Sequence, residues 1–253
     1  MKLAARRVDW PAVKTEVAAL LLPTLSEVPA SLRALDRALG GALDRIITRR
    51  DFRGGRDEVM HVEGGGGAIL RVLLVGYGSP ASDPSNALRR AAGIAARQAQ
   101  RVGAKTLSIW AATNDQRAWE SIGIGAQLGA WEYTEFKSPP PPAEQRPRLE
   151  SIELLVSDAR RSARAAANAL AIGEGYAVAR RLAMMPGNVA TPAQLAETAA
   201  AVGKRHRMRL TTLGRAEMKK AGMGAFLAVA QGSPEDPKLV VLEHRKGRKG
   251  QAP

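Results

Sequence analysis

Three histidines, His61, His206 and His244, are the side chains best suited to hold a metal, and no two of them stand at the spacing of a helical two-histidine zinc motif. Each reads as a strand or surface residue. Acidic pairs occur at Asp57-Glu58 and Glu235-Asp236, and Glu150 lies three residues before Glu153. A two-metal hydrolytic centre needs several carboxylates converging on ions about 3.5–4 Å apart. These carboxylates sit beside Pro, Arg or Lys in turns and read as solvated charge. Ser79 and Ser233 lie in Gly-Ser-Pro turns without the Gly-x-Ser-x-Gly elbow of a serine hydrolase. Gly76-Tyr77-Gly78 follows an apolar run as a dinucleotide loop would. Ala81 replaces its third glycine, however, and Pro80 intrudes where the helix should open, so a strand-end turn is the better reading. Residues 64–67 are all glycine but lack the Lys-Ser or Lys-Thr of a phosphate loop. With no cysteine there is no thiolate nucleophile, thiolate metal site or disulfide framework, which fits a cytoplasmic protein. No catalytic, cofactor-binding or metal-binding residue is assigned in this chain.

At 253 residues and 45% hydrophobic composition, the chain can bury a substantial core. Its longest apolar runs fall far short of the roughly 20 residues that cross a bilayer. The start carries Lys2, Arg6 and Arg7 but continues through Asp9, Pro11 and Lys14, not through the apolar stretch of a secretory signal. A formal charge of +14 and a pI near 10.8 fit a phosphate-rich partner. The arginines, however, come as dyads spread along the chain (Arg49-Arg50, Arg89-Arg90, Arg160-Arg161, Arg180-Arg181), and only residues 244–249 form a dense run. Solvated helix faces are the simpler reading, with an anionic partner as the rival.

The elements that would position these groups alternate as α/β. Leu32, Leu35, Leu39, Leu43, Ile46 and Ile47 predict one helix over residues 31–48. Residues 59–62 and 69–75 read as strands, the second a buried parallel one. Asp83 or Ser85 can cap a helix closed by Gly103, and residues 106–111 are the next strand, completing a βαβ unit with parallel strands. Residues 114–130 read as a glycine-weakened helix, 131–136 as a strand of alternating aromatics, and the four prolines 139–142 as an extended surface loop. After a strand at 152–156, residues 158–184 predict a long alanine-rich helix with Ala165, Ala169, Ile172, Tyr176 and Ala179 on one side. Beyond Pro186-Gly187-Asn188 the alternation restarts: Thr191 caps a helix with Pro192 at its first position, and strands are expected at 209–213, 225–230 and 239–243, with a short helix at 215–221. A chain that stops on a hydrophobic strand and a basic turn looks incomplete, because an exposed edge and a half-covered apolar face are costly.

Residues 179–192, Ala-Arg-Arg-Leu-Ala-Met-Met-Pro-Gly-Asn-Val-Ala-Thr-Pro, resemble the junction of leucyl (cytosol) aminopeptidases, where a helix end runs into a Pro-Gly-Asn and Thr-Pro turn. Residues 218–233 are similar to that family's Gly-Met-Gly and Ala-Val-x-Gln/x-Gly-Ser stretch, through Gly222-Met223-Gly224-Ala225 and residues 228–233. Phe52-Arg53-Gly54, the 72–78 strand and turn, and residues 125–131 fall in the family's order upstream. The resemblance implies an α/β chain: a macro-domain-like amino-terminal domain with a mixed, largely parallel sheet at 1–157, a linker helix at 158–184, and the incomplete start of an α/β metallopeptidase domain at 185–253. It also implies a cytoplasmic, hexameric exopeptidase that removes amino-terminal residues from peptides with two divalent ions, Mn or Zn. In the family, the strand matching residues 239–243 is soon followed by a Gly-Lys-Gly, Phe-Asp and Gly-Gly segment that supplies metal ligands. This chain has no such segment, and Met184-Met185 stand where many members carry Asn-Thr. No family catalytic residue carries over, so the chain alone is expected to be inactive. The rivals are a non-enzymatic binder of nucleic acid or of a nucleotide-like ligand, and a truncated or split gene product.

Overall fold

A computed structural model describes residues 1–64, 67–80, 83–247 and 250. The chain divides into two compact units, Met1–Val178 and Ala179–Pro253. In the first, the order is β1 (Lys2–Arg7), β2 (Thr15–Pro23), α1 (Arg33–Ala38), α2 (Ala42–Thr48), β3 (Val59–Glu63), β4 (Ile69–Gly78), α3 (Ser85–Arg101), β5 (Thr106–Ala111), α4 (Gln116–Ala130), β6 (Ser151–Val156) and α5 (Ala159–Met184), whose residues from Ala179 on belong to the second unit. Six strands form one sheet in the order β1-β6-β5-β2-β4-β3, parallel throughout except where β3 pairs antiparallel with β4.

The sheet is built around β2, whose residues 17–22 are at most 2% exposed. A parallel strand covered on both faces has no polar side to show, so Val17-Ala18-Ala19-Leu20-Leu21-Leu22 runs apolar without alternation. Its odd-numbered side chains, Val17, Ala19 and Leu21, join a core completed by α3, α4 and the first turns of α5. The even-numbered Ala18, Leu20 and Leu22 join a second core with α1, α2, Phe52, Trp10 and Trp110. The result is three layers, helix on sheet on helix.

Several expectations change. The helix expected over 31–48 is broken by Gly40 (φ 62°) and Gly41 (φ 75°). One Asp36 carboxylate oxygen accepts the amides of Leu43 (2.9 Å) and Asp44 (3.2 Å), which satisfies the exposed start of α2. Strands β4 and β5 are parallel but not adjacent, because β2 lies between them. Residues 131–136 are not a strand. Their alternating aromatics form a ring cluster instead, with Trp131 and Tyr133 stacked at 6.2 Å and 24° and Phe136 6.2 Å from Tyr133. On α5, Ala165 and Ala169 are buried as expected, but Ile172 and Tyr176 are exposed, and the inward face continues through Ser162, Ala166 and Gly173.

The second unit contains α6 (Pro192–His206), β7 (Arg209–Leu213), α7 (Arg215–Lys220), α8 (Gly224–Val229) and β8 (Leu239–Glu243), with β7 and β8 an antiparallel pair. The Thr191 hydroxyl accepts the Gln194 amide at 3.3 Å, capping α6. The strand expected at 225–230 is helix α8 and a following 3-10 turn, Ala230–Gly232. Among the described residues no helix is long and apolar enough to cross a membrane. The readings that fall on Gly65, Gly66, Ala81, Arg248, Lys249 and residues 251–253 lie outside the described residues.

Candidate functional site

A concavity opens at the carboxyl end of β4, and open α/β sheets place ligands outside the carboxyl ends of their strands. A cavity of about 420 Å³ is lined there by Arg56, Asp57, Tyr77, Ser79, Asn86 and Arg90, among others. Its floor is a backbone lattice. Asp57 N donates to the Gly76 carbonyl (3.0 Å), Gly76 N to that of Glu58 (2.8 Å), and Gly78 N to that of Gly54 (3.0 Å). The 53–58 turn can lie this close only because Gly54 (φ 73°) and Gly76 have no side chains: a Cβ on Gly54 would overlap the Pro23 carbonyl, and one on Gly76 that of Gly55. Phe52, fully buried, anchors the turn in the core.

The charges in this cavity are largely spent on one another. Arg90 binds Asp57 through Nε and Nη2, both at 2.6 Å, in a bidentate pair. Those hydrogen bonds hold the Asp57 carboxyl below its usual range against the opposing effect of burial, with the charges of Arg90, Arg56 and Arg97 adding to them. Asp83 accepts both the hydroxyl (2.6 Å) and the amide (2.9 Å) of Ser85, and these two bonds lower its pKa in the same way. Burial alone raises the Tyr77 phenol. Spacing along the chain carries no sign of this constellation, since Asp57 and Arg90 are 33 residues apart.

The other groups singled out by type do not converge. His61 lies on β3 with Nδ1 3.5 Å from Arg71, His206 ends α6, and His244 follows β8. The Glu58 carboxylate accepts the amides of Arg53 and Gly55, so it organises the turn and is not merely solvated. Glu153 pairs with Arg6 (3.4 Å) and Asp236 with Arg215 (3.2 Å). Ser233 Oγ accepts the Glu235 amide (3.1 Å), and Ser79 lines the cavity. Among the described residues no group of three or more His, Cys, Asp or Glu could hold a metal ion. Their donors are separated, or engaged by arginines and amides, and they do not fit a two-metal centre.

Within the second unit an apolar groove of about 520 Å³ lies between α6, α8 and β8, with Leu195, Ala199, Phe226 and Val240 on its walls. Leu195 and Phe226 are 46% and 41% exposed. The residues that carry the resemblance are architectural here. The Pro186 carbonyl accepts the amides of Val189 and Ala190, both at 2.9 Å, closing the turn before α6. Met218 is fully buried, and Gly222 (φ 70°) supplies the left-handed turn between α7 and α8.

Two family models match the chain in order: the cytosol aminopeptidase family N-terminal domain over residues 23–140, and that family's catalytic domain over residues 177–253. Similar relatives include a probable cytosol aminopeptidase of Alkalilimnicola ehrlichii, 34% identical over 87% of this chain and 46% of that protein. Another, from Geobacter sp., is 37% identical over 85% of this chain and 45% of its own length. Among solved structures, a tomato leucine aminopeptidase mutant superposes with a TM-score of 0.81 at 25% identity, covering 95% of this chain and 50% of that one. The bottromycin maturation enzyme BotP in complex with Mn shares the fold, with a TM-score of 0.70 at 24% identity over 90% of this chain and 45% of that one. The chain spans about half the length of the curated relatives it matches. With amino-terminal and catalytic family models matched in sequence, and the solved leucine aminopeptidase fold followed along nearly its whole length, the chain belongs to the cytosol aminopeptidase family.

Proposed function

We propose that this chain is the scaffold half of a cytoplasmic two-metal aminopeptidase. In this reading residues 1–157 are a macro-like amino-terminal domain, 158–184 a linker helix and 185–253 the opening of the peptidase domain. The ligands of the two divalent ions, Mn or Zn, come from outside these 253 residues. The observation that carries the reading is the structural match that takes in 95% of this chain but 50% of the tomato enzyme. Two features of the second unit support it. A two-stranded sheet is marginal by itself, and among the described residues β7 and β8 form such a pair. The neighbouring groove leaves Leu195 and Phe226 open, as a face awaiting the rest of a domain would.

The whole enzyme would remove amino-terminal residues from peptides as a hexamer. Two-metal hydrolases draw carbonyl polarisation and water activation from their ions, and no residue of this chain is assigned to hold them. What this chain's own residues contribute is the fold and the junction turn at Pro186, and no catalytic step is assigned to them. The test is hydrolysis of leucine p-nitroanilide by the purified chain with added Mn²⁺ or Zn²⁺. The expected result is no release above the protein-free blank. Metal-dependent release proportional to the concentration of this chain, free of host aminopeptidase, would overturn the proposal.

A further inference from the structure

Two arginines on one helix face and two on a proline-rich loop meet around a cavity of the first unit. Arg97 and Arg101 lie four residues apart on α3, which puts both on one side of that helix. Arg146 and Arg148 belong to the segment that follows the four prolines 139–142. Folding gathers both pairs with Trp131 around a hollow of about 870 Å³, within the roughly 300–1,000 Å³ usual for small-molecule sites. Its walls are held in place. Gln100 Nε2 donates to the Ala130 carbonyl at 2.9 Å, which fixes the residue before Trp131 against α3. Gln145 Nε2 donates to the Pro140 carbonyl at 3.1 Å, and Arg146 donates to the Arg101 carbonyl, so the loop is pinned both on itself and on the end of α3.

The four guanidiniums are not engaged by acids. Among the described residues none of them is in an ion pair. Arg146 and Arg148 donate instead to neutral oxygens, the Arg101 carbonyl and the Thr134 hydroxyl (3.2 Å). Arg97 adds to the positive field at Asp57, but Arg90 already holds that carboxylate at 2.6 Å. Only two carboxylates, Glu132 and Glu144, line the cavity against the four cations. The carboxyl terminus of α3 favours Arg101 in its last turn, an effect confined to that turn. It does not explain Arg97, one turn earlier, or Arg148, which reaches Thr134. Like charges gathered in this way work against the compact state unless an anion sits among them.

We propose that this cavity is a binding site for a nucleoside triphosphate, a small molecule that joins a planar ring to a short chain of phosphates. Guanidinium forks match phosphate oxygens in charge and geometry. Trp131, with Pro139, Pro140 and Pro147 on the walls, gives the apolar surface on which a base stacks. Inorganic polyphosphate would use the arginines and leave Trp131 idle, and an uncharged ring would leave the arginines unneutralised. Trp10, Trp110 and Trp119 are buried in the two cores, so Trp131 is the tryptophan that a ligand can reach and the natural reporter of binding.

The experiment is quenching of the full chain's tryptophan fluorescence by ATP, with adenosine and inorganic tripolyphosphate as partial ligands. ATP should quench saturably, and each partial ligand should bind at least about tenfold more weakly. The variant R97Q/R101Q, checked for an unchanged melting temperature, should lose at least about tenfold in ATP affinity. Trp131→Ala, followed by isothermal titration because the reporter is gone, should lose about fivefold or more, and Trp131→Phe, which keeps a ring, should bind more tightly than Trp131→Ala. The control R160Q/R161Q, with the same change in net charge on exposed α5 positions, should bind ATP as the wild type does. No saturable quenching up to millimolar ATP, tripolyphosphate binding as tightly as ATP, equal losses in both arginine pairs, or tighter binding of a single-stranded oligonucleotide than of ATP would overturn the proposal.

Discussion

Gly125 and Gly129 on α4 bring that helix against α3 until backbone meets backbone: a Cβ at Gly125 would overlap the Arg89 carbonyl oxygen, and one at Gly129 that of Gly93. Overpacking so tight a contact costs about 1–3 kcal/mol, so Gly129→Ala should lower the unfolding free energy by that amount, read as a lower urea midpoint with an unchanged slope. Residues 125–131 were legible as a family stretch, but the reason for their glycines is a helix-helix distance that no local pattern encodes. The same holds for Asp57, which reads as a turn acid until folding sets Arg90 against it. Because its folded pKa lies below the unfolded value near 3.8, the pair's contribution is complete above that value and is lost as pH falls through the folded pKa. Urea titrations of the wild type and Arg90→Gln should therefore differ by a constant amount above about pH 5 and converge in stronger acid. A gap that persists unchanged to pH 2 would rule out this linkage.

Strand β2 shows why an element can be central and still illegible. Its run of alanine and leucine between Val17 and Pro23 lacks both the alternation of a half-buried strand and, after Val17, the β-branched side chains that mark buried ones, and periodicity cannot separate a short apolar run from a helix. The same ambiguity acted in reverse at residues 225–230, where an apolar run expected to be a strand is helix α8. Strand β4 was readable because Val, Ile and Leu dominate it, and β5 because its Leu107-Ser108-Ile109-Trp110 run follows an amphipathic helix. The energetic counterpart can be measured. Leu20, fully buried in β2, should cost about 2–5 kcal/mol on truncation to alanine. Leu70, 63% exposed on β4, should cost less than about 0.5 kcal/mol. Chemical denaturation of the two variants separates these outcomes, and near-equal losses would contradict the placement of β2 at the centre of the sheet.

For the molecule as a whole, fold and chemistry separate. The family was legible because its junction signals, Pro186-Gly187-Asn188 and Gly222-Met223-Gly224, fall at turns between elements, and Gly222 (φ 70°) holds a left-handed backbone that favours glycine. The α/β class was legible because strand-like apolar runs alternate with helical spacing along the chain. The strand-end cavity with its Asp57–Arg90 pair was not, since it joins segments distant in sequence. The central claim is that these 253 residues hold the aminopeptidase scaffold without its metal centre. Isothermal titration of the purified chain with MnCl₂ and ZnCl₂ tests it most directly. The account predicts no saturable binding in the micromolar range for either ion. Two equivalents bound per chain at micromolar affinity would contradict it.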